Sequence, residues 1–527
     1  VIRSELRLLT AAVAGLLAGP LAPAFARVQI TDELAGALAG AQGAGRMGRL
    51  WQDWIMRPIE SVDKEVLRDL RRARRASREL VGTWGPAARW GRLAEEQIVG
   101  AQGVRLRVQL VKRGPAGAEI PDLERNRRIE RAWFRWTRPD LCDVAGKWSF
   151  PTHERVFVKT WARDGEALLR MVEGFPNAYG FALQALDPDQ LDDRLNIPAG
   201  RQQNEIRGGV EVNAWGQPVA YHIYTSHPND LWHAQERQRV PAGEILHWYE
   251  PARAGQSRGL PRLLSALVAA KMTAGYEEAE VTAARSNAIR MGFYERDPTA
   301  ANLPDPRTGH GEIEDRVFSE GEPGQFGVLP LGWKVTSWAP THPSSQYAAF
   351  VKSMLRSVAS GLAVAYNTLA NDLEGVNFSS LRSGTLAERD RYQVDQAELI
   401  DALHARLFPR WLTWAVTMGH LPPEDLEAAD PERFTFQPRG WPWVDPLKDV
   451  QTDILAIRAG LSSRTRAAAA RGVDIEEVFQ ELRAEKQLAD SLGLKLETDL
   501  AGRPIDETSD DTSGGGAAGT GGNDGGA

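Results

Sequence analysis

A chain of 527 residues, 42% hydrophobic and 25% charged, is long enough for several domains and ordinary in composition for a folded protein. Its net charge of -7 argues against a protein that coats nucleic acid nonspecifically, because such proteins are basic overall. The single cysteine, Cys142, excludes an intrachain disulfide and any multi-cysteine metal site within one chain.

The start carries Arg3 and Arg7 before an apolar run from Leu8 to Ala18, and Ala24-Phe25-Ala26 is shaped like a signal-peptidase site. This pattern supports export; an Ala/Gly-rich arm or an over-extended start explains it equally. Gly19-Pro20 and Pro23 oppose a membrane span, and no other stretch reaches the roughly 18 apolar residues a span needs. From Arg46 to Arg113 the balance turns basic. Leu67 to Leu80 fits a helix carrying Arg71, Arg72, Arg74 and Arg75. These arginines form either a solvated face or a contact with phosphate or an acidic neighbour. Val104 to Val111 alternates like a strand and Ile129 to Trp136 is helical. Val156 to Thr160 and Ala167 to Val172 read as paired strands, and Phe181 to Leu186 leads into the turn Asp187-Pro188-Asp189. Ile206 to Asn213 and Pro218 to Tyr224 form a hairpin around Ala214-Trp215-Gly216-Gln217, and Val240 to Trp248 is one more strand.

Three long helices follow between Leu260 and Gly419. The first starts after Gly259-Leu260-Pro261, with proline at a tolerated position, and runs to about Met291. The second follows His342-Pro343-Ser344 and carries Tyr347, Phe350, Met354, Val358, Leu362 and Ala365 at helical spacing. Small residues cover much of its remaining surface, which suits a crowded ring of neighbours. Between the two lies a Gly- and Pro-rich insert with short strands at Phe326 to Leu329 and Trp333 to Val335. A polar loop, Asn371 to Ser380, precedes the third helix. Beyond Gly419 come Phe434-Thr435-Phe436, Trp441-Pro442-Trp443, a helix from Leu447 that stops at Gly460, and two helices capped by Ser462 or Ser463 and by Asp474. Glu507 to Ala527, acidic and then Gly-rich, has the composition of a disordered tail.

Chemistry is sparse. His222, His227, His233 and His247 fall close together in sequence, but without ligand spacing for a metal. No phosphate-cradling GxxxxGK[ST] occurs. Gly255-Gln256-Ser257-Arg258-Gly259 matches GxSxG in letters, yet Pro251 and Gly255 separate it from the preceding strand, so a plain turn explains it better than a nucleophile elbow. Nothing in the residues argues for an enzyme, a cofactor or a metal.

Several longer segments carry more. Arg207-Gly208-Gly209-Val210-Glu211-Val212, continuing through Trp215-Gly216-Gln217-Pro218 to His222, resembles a segment of the lambda-type portal proteins of tailed bacteriophages. So do Ile245-Leu246-His247 with Gly255 to Pro261, Trp441 to Asp449, Ala456 to Arg464, and Arg471 to Val478. The resemblance runs from about Met47 to about Leu494. It implies an α+β portal fold with a mixed α/β wing, a long helical stem, a small β-containing clip and a helical C-terminal crown. Residues 1–45 would be a signal-like or flexible arm. Residues 46–259 would be the first part of the wing, 260–291 and 343–370 stem helices, and 292–342 the clip. Residues 371–384 would be the tunnel loop, 385–446 the rest of the wing, 447–500 the crown and 501–527 the tail.

The resemblance further implies a dodecameric ring at a capsid vertex, through which double-stranded DNA is packaged and ejected. Its partners would be the terminase large subunit, major capsid and scaffolding proteins, and head-completion or tail proteins, with no membrane. It would be a virion protein assembled in the bacterial cytoplasm. The expected channel lining is Asn371, Asn377, Ser379, Ser380 and Arg382, and Arg71, Arg72, Arg74 and Arg75 are the expected DNA or capsid contacts. The alternative, an exported or envelope-associated protein with a cleaved signal, rests on the first 26 residues, which lie outside the resemblance.

Overall fold

The computed structural model describes residues 60–494, apart from 115–118, 202, 231–235, 289–291, 297–332, 338–345, 375–377 and 443–444. The signal-like start, the tail, His233, the Phe326 to Leu329 strand and Asn377 lie outside them. The chain divides into two compact units between Arg439 and Gly440.

The described elements of the first unit are α1 (Val62–Thr83), α2 (Gly85–Ala94), β1 (Arg105–Val108), β2 (Val111–Arg113), β3 (Glu119–Pro121), α3 (Leu123–Trp136), α4 (Pro139–Cys142) and α5 (Phe150–Asp164). Next come β4 (Glu166–Glu173), β5 (Phe181–Leu186), β6 (Glu205–Arg207), β7 (Val210–Val212), β8 (Pro218–Tyr224), β9 (Arg237–Pro241) and β10 (Ile245–Tyr249). The last group is α6 (Leu267–Ala288), β11 (Gly292–Arg296), β12 (Trp333–Ser337), α7 (Tyr347–Leu362), α8 (Tyr366–Ala370), α9 (Phe378–Leu399), α10 (Ala405–Thr417) and β13 (Phe434–Gln437). The second unit holds α11 (Pro446–Arg458), α12 (Arg464–Ala469) and α13 (Ile475–Ser491). The fold is α+β. No helix among the described residues is long and apolar enough to cross a membrane.

Two antiparallel sheets, ordered β10-β4-β5 and β6-β7-β8-β9, share one apolar core. Leu168, Leu186, Val210, Tyr221, Ile223, Val240 and Ile245 fill it. A second core is aromatic. Trp133 and Trp136 of α3 meet Phe150 of α5 and Trp411 of α10, and Trp133 also meets Phe408 of α10 and Phe436 of β13; the Trp133 and Trp411 rings cross edge-on at 4.9 Å. Such pairs contribute beyond their buried area. Trp136 also donates from its indole to the Phe181 carbonyl, so this bulky core side chain leaves no orphan donor. Cys142 lies buried at the end of α4, and burial, with Asp143 beside it, pushes its thiol up to about 12.

The structure departs from the sequence reading at several places; the first long helix, for one, begins at Leu267 after the 3-10 turn Arg262–Ser265. Val156 to Thr160 is not a strand but part of α5. Buried Phe150, His153, Phe157 and Trp161 recur at helical spacing and outweigh the β-branched run. The strands beside β4 are β5 and β10 instead. The first strand of the hairpin breaks at Gly208-Gly209 (φ +52 and +82), making β6 and β7 a hairpin of their own. Val240 to Trp248 likewise splits at a 3-10 turn, Ala242–Glu244, so β9 and β10 enter different sheets. The second long helix stops at Leu362 rather than Ala370. Ala363 adopts a left-handed φ of +56 and its N–H closes the helix on the Ala359 and Ser360 carbonyls. There the chain packs against the 3-10 turn Arg262–Ser265 that precedes α6, and Ser265 donates to the Gly361 carbonyl at 2.7 Å.

One close approach governs how α5, β4 and the start of the helical hairpin meet. Gly165 ends α5 with φ +88, and a Cβ there would lie 2.1 Å from the Leu260 carbonyl carbon. A Cβ on Gly259 would lie 2.1 Å from the Gly165 oxygen. The two segments touch backbone to backbone, which only glycine permits. Gly165→Ala should therefore lower stability by about 3 kcal/mol or more, from strain and overlap together. Gly255→Ala, at φ +82 with nothing within 4 Å, should lose only about 1 kcal/mol. Thermal melts of the two variants compare them, and equal losses would contradict the close approach.

Candidate functional site

The Gly165–Gly259 contact sets Glu166 beside Arg258, both fully buried. Arg258 Nε donates to both Glu166 oxygens at 2.9 Å, and its Nη2 reaches Oε1 at 2.5 Å. Its remaining donors tie in the Gly208 carbonyl at 2.6 Å and the Pro188 and Leu191 carbonyls at 3.3 and 3.4 Å. The Gly259 N–H also donates to Glu166 at 3.0 Å. One guanidinium thus ties its own turn to three other chain segments. Arg74 of α1 adds a second cation at 2.7 Å from Glu166, and its other end meets Asp189 at 2.5 Å. Arg78, one turn on, spans Asp164, Asp187 and Asp189.

Burial alone would push the Glu166 carboxyl up; Arg258, His247 and Arg74 hold it well below the usual carboxylate range. His247 lies 3.1 Å from it. Burial pushes the His247 imidazole down despite that carboxylate, so the ring is neutral near pH 7. An ionised carboxylate only accepts, so Nε2 carries the proton.

This arrangement corrects the reading of the basic helix. Arg74 is 2% exposed and belongs to the interior knot, so it cannot touch DNA or capsid. Arg71 is exposed but bridged to Asp193. Arg72 and Arg75 are exposed and have no ion-pair partner among the described residues. Helical spacing explains the split: positions 74 and 78 face inward with Leu70 and Ser77, and 72 and 75 face out.

The Ser257 hydroxyl donates to Asp63 at 2.9 Å, and its N–H donates to the same carboxylate at 2.7 Å. Gln256 crosses the same turn, accepting from Ala252 and donating to the Arg258 carbonyl. The GxSxG letters therefore spell an anchored turn on the first residues of α1. The histidines disperse. His222 faces Glu211 at 3.4 Å, His227 lies 3.6 Å from Asp189, and His247 faces Glu166. Asp187, Asp189 and His227 approach closely enough for a cation. Arg74 and Arg78 already neutralise both aspartates, so these residues do not fit a metal centre.

Around the expected tunnel loop, Asn371 ends α8 in the left-handed conformation with φ +53. Asp372 accepts from the Tyr366 hydroxyl at 2.7 Å and pairs with Lys352 of α7 at 3.0 Å. The Tyr366 bond and these partners hold the Asp372 carboxyl at about 2. α9 begins at Phe378, so Ser379, Ser380 and Arg382 stand on its first turns and the loop is shorter than residues 371–384. The Lys352–Asp372–Tyr366 latch was not foreseen. Neither was the Glu166–Arg258 pair, although a lone acid and a lone arginine, each beside a glycine and an apolar strand or turn, were visible signals.

A mixed body from which a pair of helices leaves and returns, with a polar loop after the return, describes the phage portal class. The sequence model of the phage portal protein, lambda family, matches residues 47–396, and the chain belongs to that family. Among its relatives, the probable portal protein of Halomonas phage phiHAP-1 is 32% identical over 455 residues, covering 85% of this chain and 86% of the relative. Portal protein B of Escherichia phage lambda is 26% identical over 502 residues, covering 88% of this chain and 91% of the relative. A chain from the virion of a native gene transfer agent particle superposes with a TM-score of 0.42 at 16% identity, over 84% of this chain and 99% of that one.

Two outcomes follow from the knot. Glu166→Gln leaves Arg258 and Arg74 buried against a neutral group and should cost about 3–5 kcal/mol, read as a lower melting temperature. The folded pKa of His247 lies below its unfolded value of about 6.5, so the unfolded chain gains the proton first and stability is lost as pH falls below that value. His247→Gln should make the fall in melting temperature between pH 7.5 and pH 5.5 shallower. It should not abolish the fall, because His153 and His222 are also held low by burial. An unchanged slope would contradict a neutral buried His247.

Proposed function

We propose that copies of this chain assemble into a dodecameric ring at one capsid vertex, a pore through which double-stranded DNA is packaged and ejected. In this reading the ring docks the terminase large subunit during filling, meets capsid and scaffolding proteins in the shell, and later carries head-completion and tail proteins. Residues 46–259 and 385–446 act as the wing, α6 and α7 as the stem, 292–342 as the clip and 447–500 as the crown. The role is mechanical, and the energy for DNA movement comes from a separate motor.

The single observation that carries the reading is the helical pair. α6 and α7 pack through Tyr276, which meets the Phe350 ring at 4.8 Å and the Tyr347 ring at 5.8 Å. Yet Met272 and Val281 of α6 and Phe350 of α7 stay about half exposed on a single chain. A helix of 22 residues is about 33 Å long at 1.5 Å per residue. Apolar side chains left outward on a pair of that length call for neighbours on both sides, as a ring supplies.

The loop after α8 is the proposed narrowest point, with Asn371, Asn377, Ser379, Ser380 and Arg382 toward the DNA. Asp372 latches its first residues to the stem. A duplex must slide there, and many Lys or Arg contacts to phosphate would hold it in place. A polar and acidic loop keeps that attraction small. Arg72 and Arg75 remain as the outward cations of α1, proposed to meet DNA or capsid.

Electron microscopy of purified protein should show annular particles with a central hole. Deleting Val376 to Ser380 should reduce DNA packaging or retention while rings still form; wild-type packaging would remove the loop from the mechanism. Reversing Arg72 and Arg75 to Glu should impair head filling or incorporation without lowering the melting temperature. Normal heads from that variant would leave α1 with a solvated face only.

A further inference from the structure

The described residues of the second unit form helices with almost no interior. Each helix begins with a side-chain cap: Asp445 accepts from the Lys448 N–H, Ser463 from the Arg466 N–H, and Asp474 from the Glu476 N–H. α12 and α13 pack together. Among its described residues, however, Ala489 is the one buried apolar side chain. Leu455, Leu461, Phe479, Leu482, Leu488 and Leu492 are all exposed, Leu461 to 80%. On α13 and its capping residue Leu492, Phe479, Leu482, Leu488, Ala489 and Leu492 fall within one half of the circumference at about 100° per residue. The helices have 13, 6 and 17 residues, and isolated helices shorter than about 12–15 residues are marginal in water. Caps alone do not hold such a unit; an apolar cover does.

Charge points to what covers it. Arg464 and Arg466 of α12 are exposed and have no ion-pair partner among the described residues. α13 carries Glu476, Glu477, Glu481, Glu485 and Asp490 against Arg483 and Lys486, a net charge of -3. A unit basic on one helix and acidic on the next is complementary to another copy of itself placed head to tail. That is the heterologous contact which closes into rings.

We propose that α11, α12 and α13 complete their apolar core only against the same helices of the neighbouring copy, with α12 of one copy facing α13 of the next. The unit then gains its order with ring closure. This inference rests on the ring reading above.

The test uses the full chain. Leu455→Gln/Leu482→Gln/Leu488→Gln alters side chains that are exposed on one chain, so the main unfolding transition of the single chain should not move. Ring yield by native mass spectrometry and electron microscopy should fall at least tenfold at a concentration where the wild type is all ring. Arg464→Glu/Arg466→Glu should weaken rings, and adding Glu476→Arg/Glu481→Arg should restore them. Backbone amides of α11–α13 should exchange slowly in wild-type rings and fast in unassembled chains. Wild-type ring yield from the triple variant, no rescue by the double reversal, or equal protection in the unassembled chain would overturn the inference while leaving the ring reading intact. Absence of wild-type rings would overturn both.

Discussion

Glu166 and Arg258 meet because two glycines let the chain cross itself at backbone distance, and much of the first unit is referred to that meeting. The carboxylate belongs to the first residue of β4. The guanidinium belongs to the turn that launches the helical hairpin. Between them they fix the β6–β7 turn, the end of β5 and, through Arg74, the length of α1. A buried ion pair is weak evidence of net stability, because desolvating two charges offsets most of their attraction. What it supplies here is a fixed arrangement: every nitrogen of Arg258 has an acceptor where α1, β4 and the 251–261 turn meet. A second joint follows the same logic at the base of the helical hairpin. Arg262 grips Asp395 with two bonds at 3.0 and 3.1 Å and lies 4.5 Å over the Trp161 ring. The long helices are therefore mounted on the body by arginines rather than by apolar contact alone.

Much of the fold was legible because local rules and tertiary needs agreed. The helices at Ile129, Tyr347 and Leu447, the caps at Ser463 and Asp474, and the hairpin at Trp215 all follow from spacing, capping and turn chemistry. The failures share a cause. Val156, Val158 and Thr160 favour a strand, but the aromatic side chains around them need a helical face. The break at Ala363 is marked only by Gly361, which reads as one more small residue on a helix surface until it meets Ser265 of the Arg262–Ser265 turn. Short-range signals do not record what a segment will press against.

The candidate site was legible in a different way. Arg71 to Arg75 read as one basic patch, because a linear string of arginines does not say which way each faces. Only the packed helix sorts Arg74 inward to Glu166 and leaves Arg72 and Arg75 outside. The GxSxG letters read as a plain turn, and the surroundings agree, with Asp63 rather than a histidine on the serine. The latch of Asp372 on Tyr366 and Lys352 joins residues 6 and 20 positions apart. Nothing in the sequence distinguishes that aspartate from its neighbour Glu374 until α7 and α8 are folded.

Cys142 has a practical consequence. It is the chain's one sulfhydryl, sealed beneath the Thr137 and Trp148 carbonyls, and burial pushes it up to about 12. Maleimides and disulfide reagents react with thiolate, so the natural chain is silent to them. A cysteine placed on the helical hairpin would thus be the only handle to take a dye or crosslinker, giving distance reporters free of background.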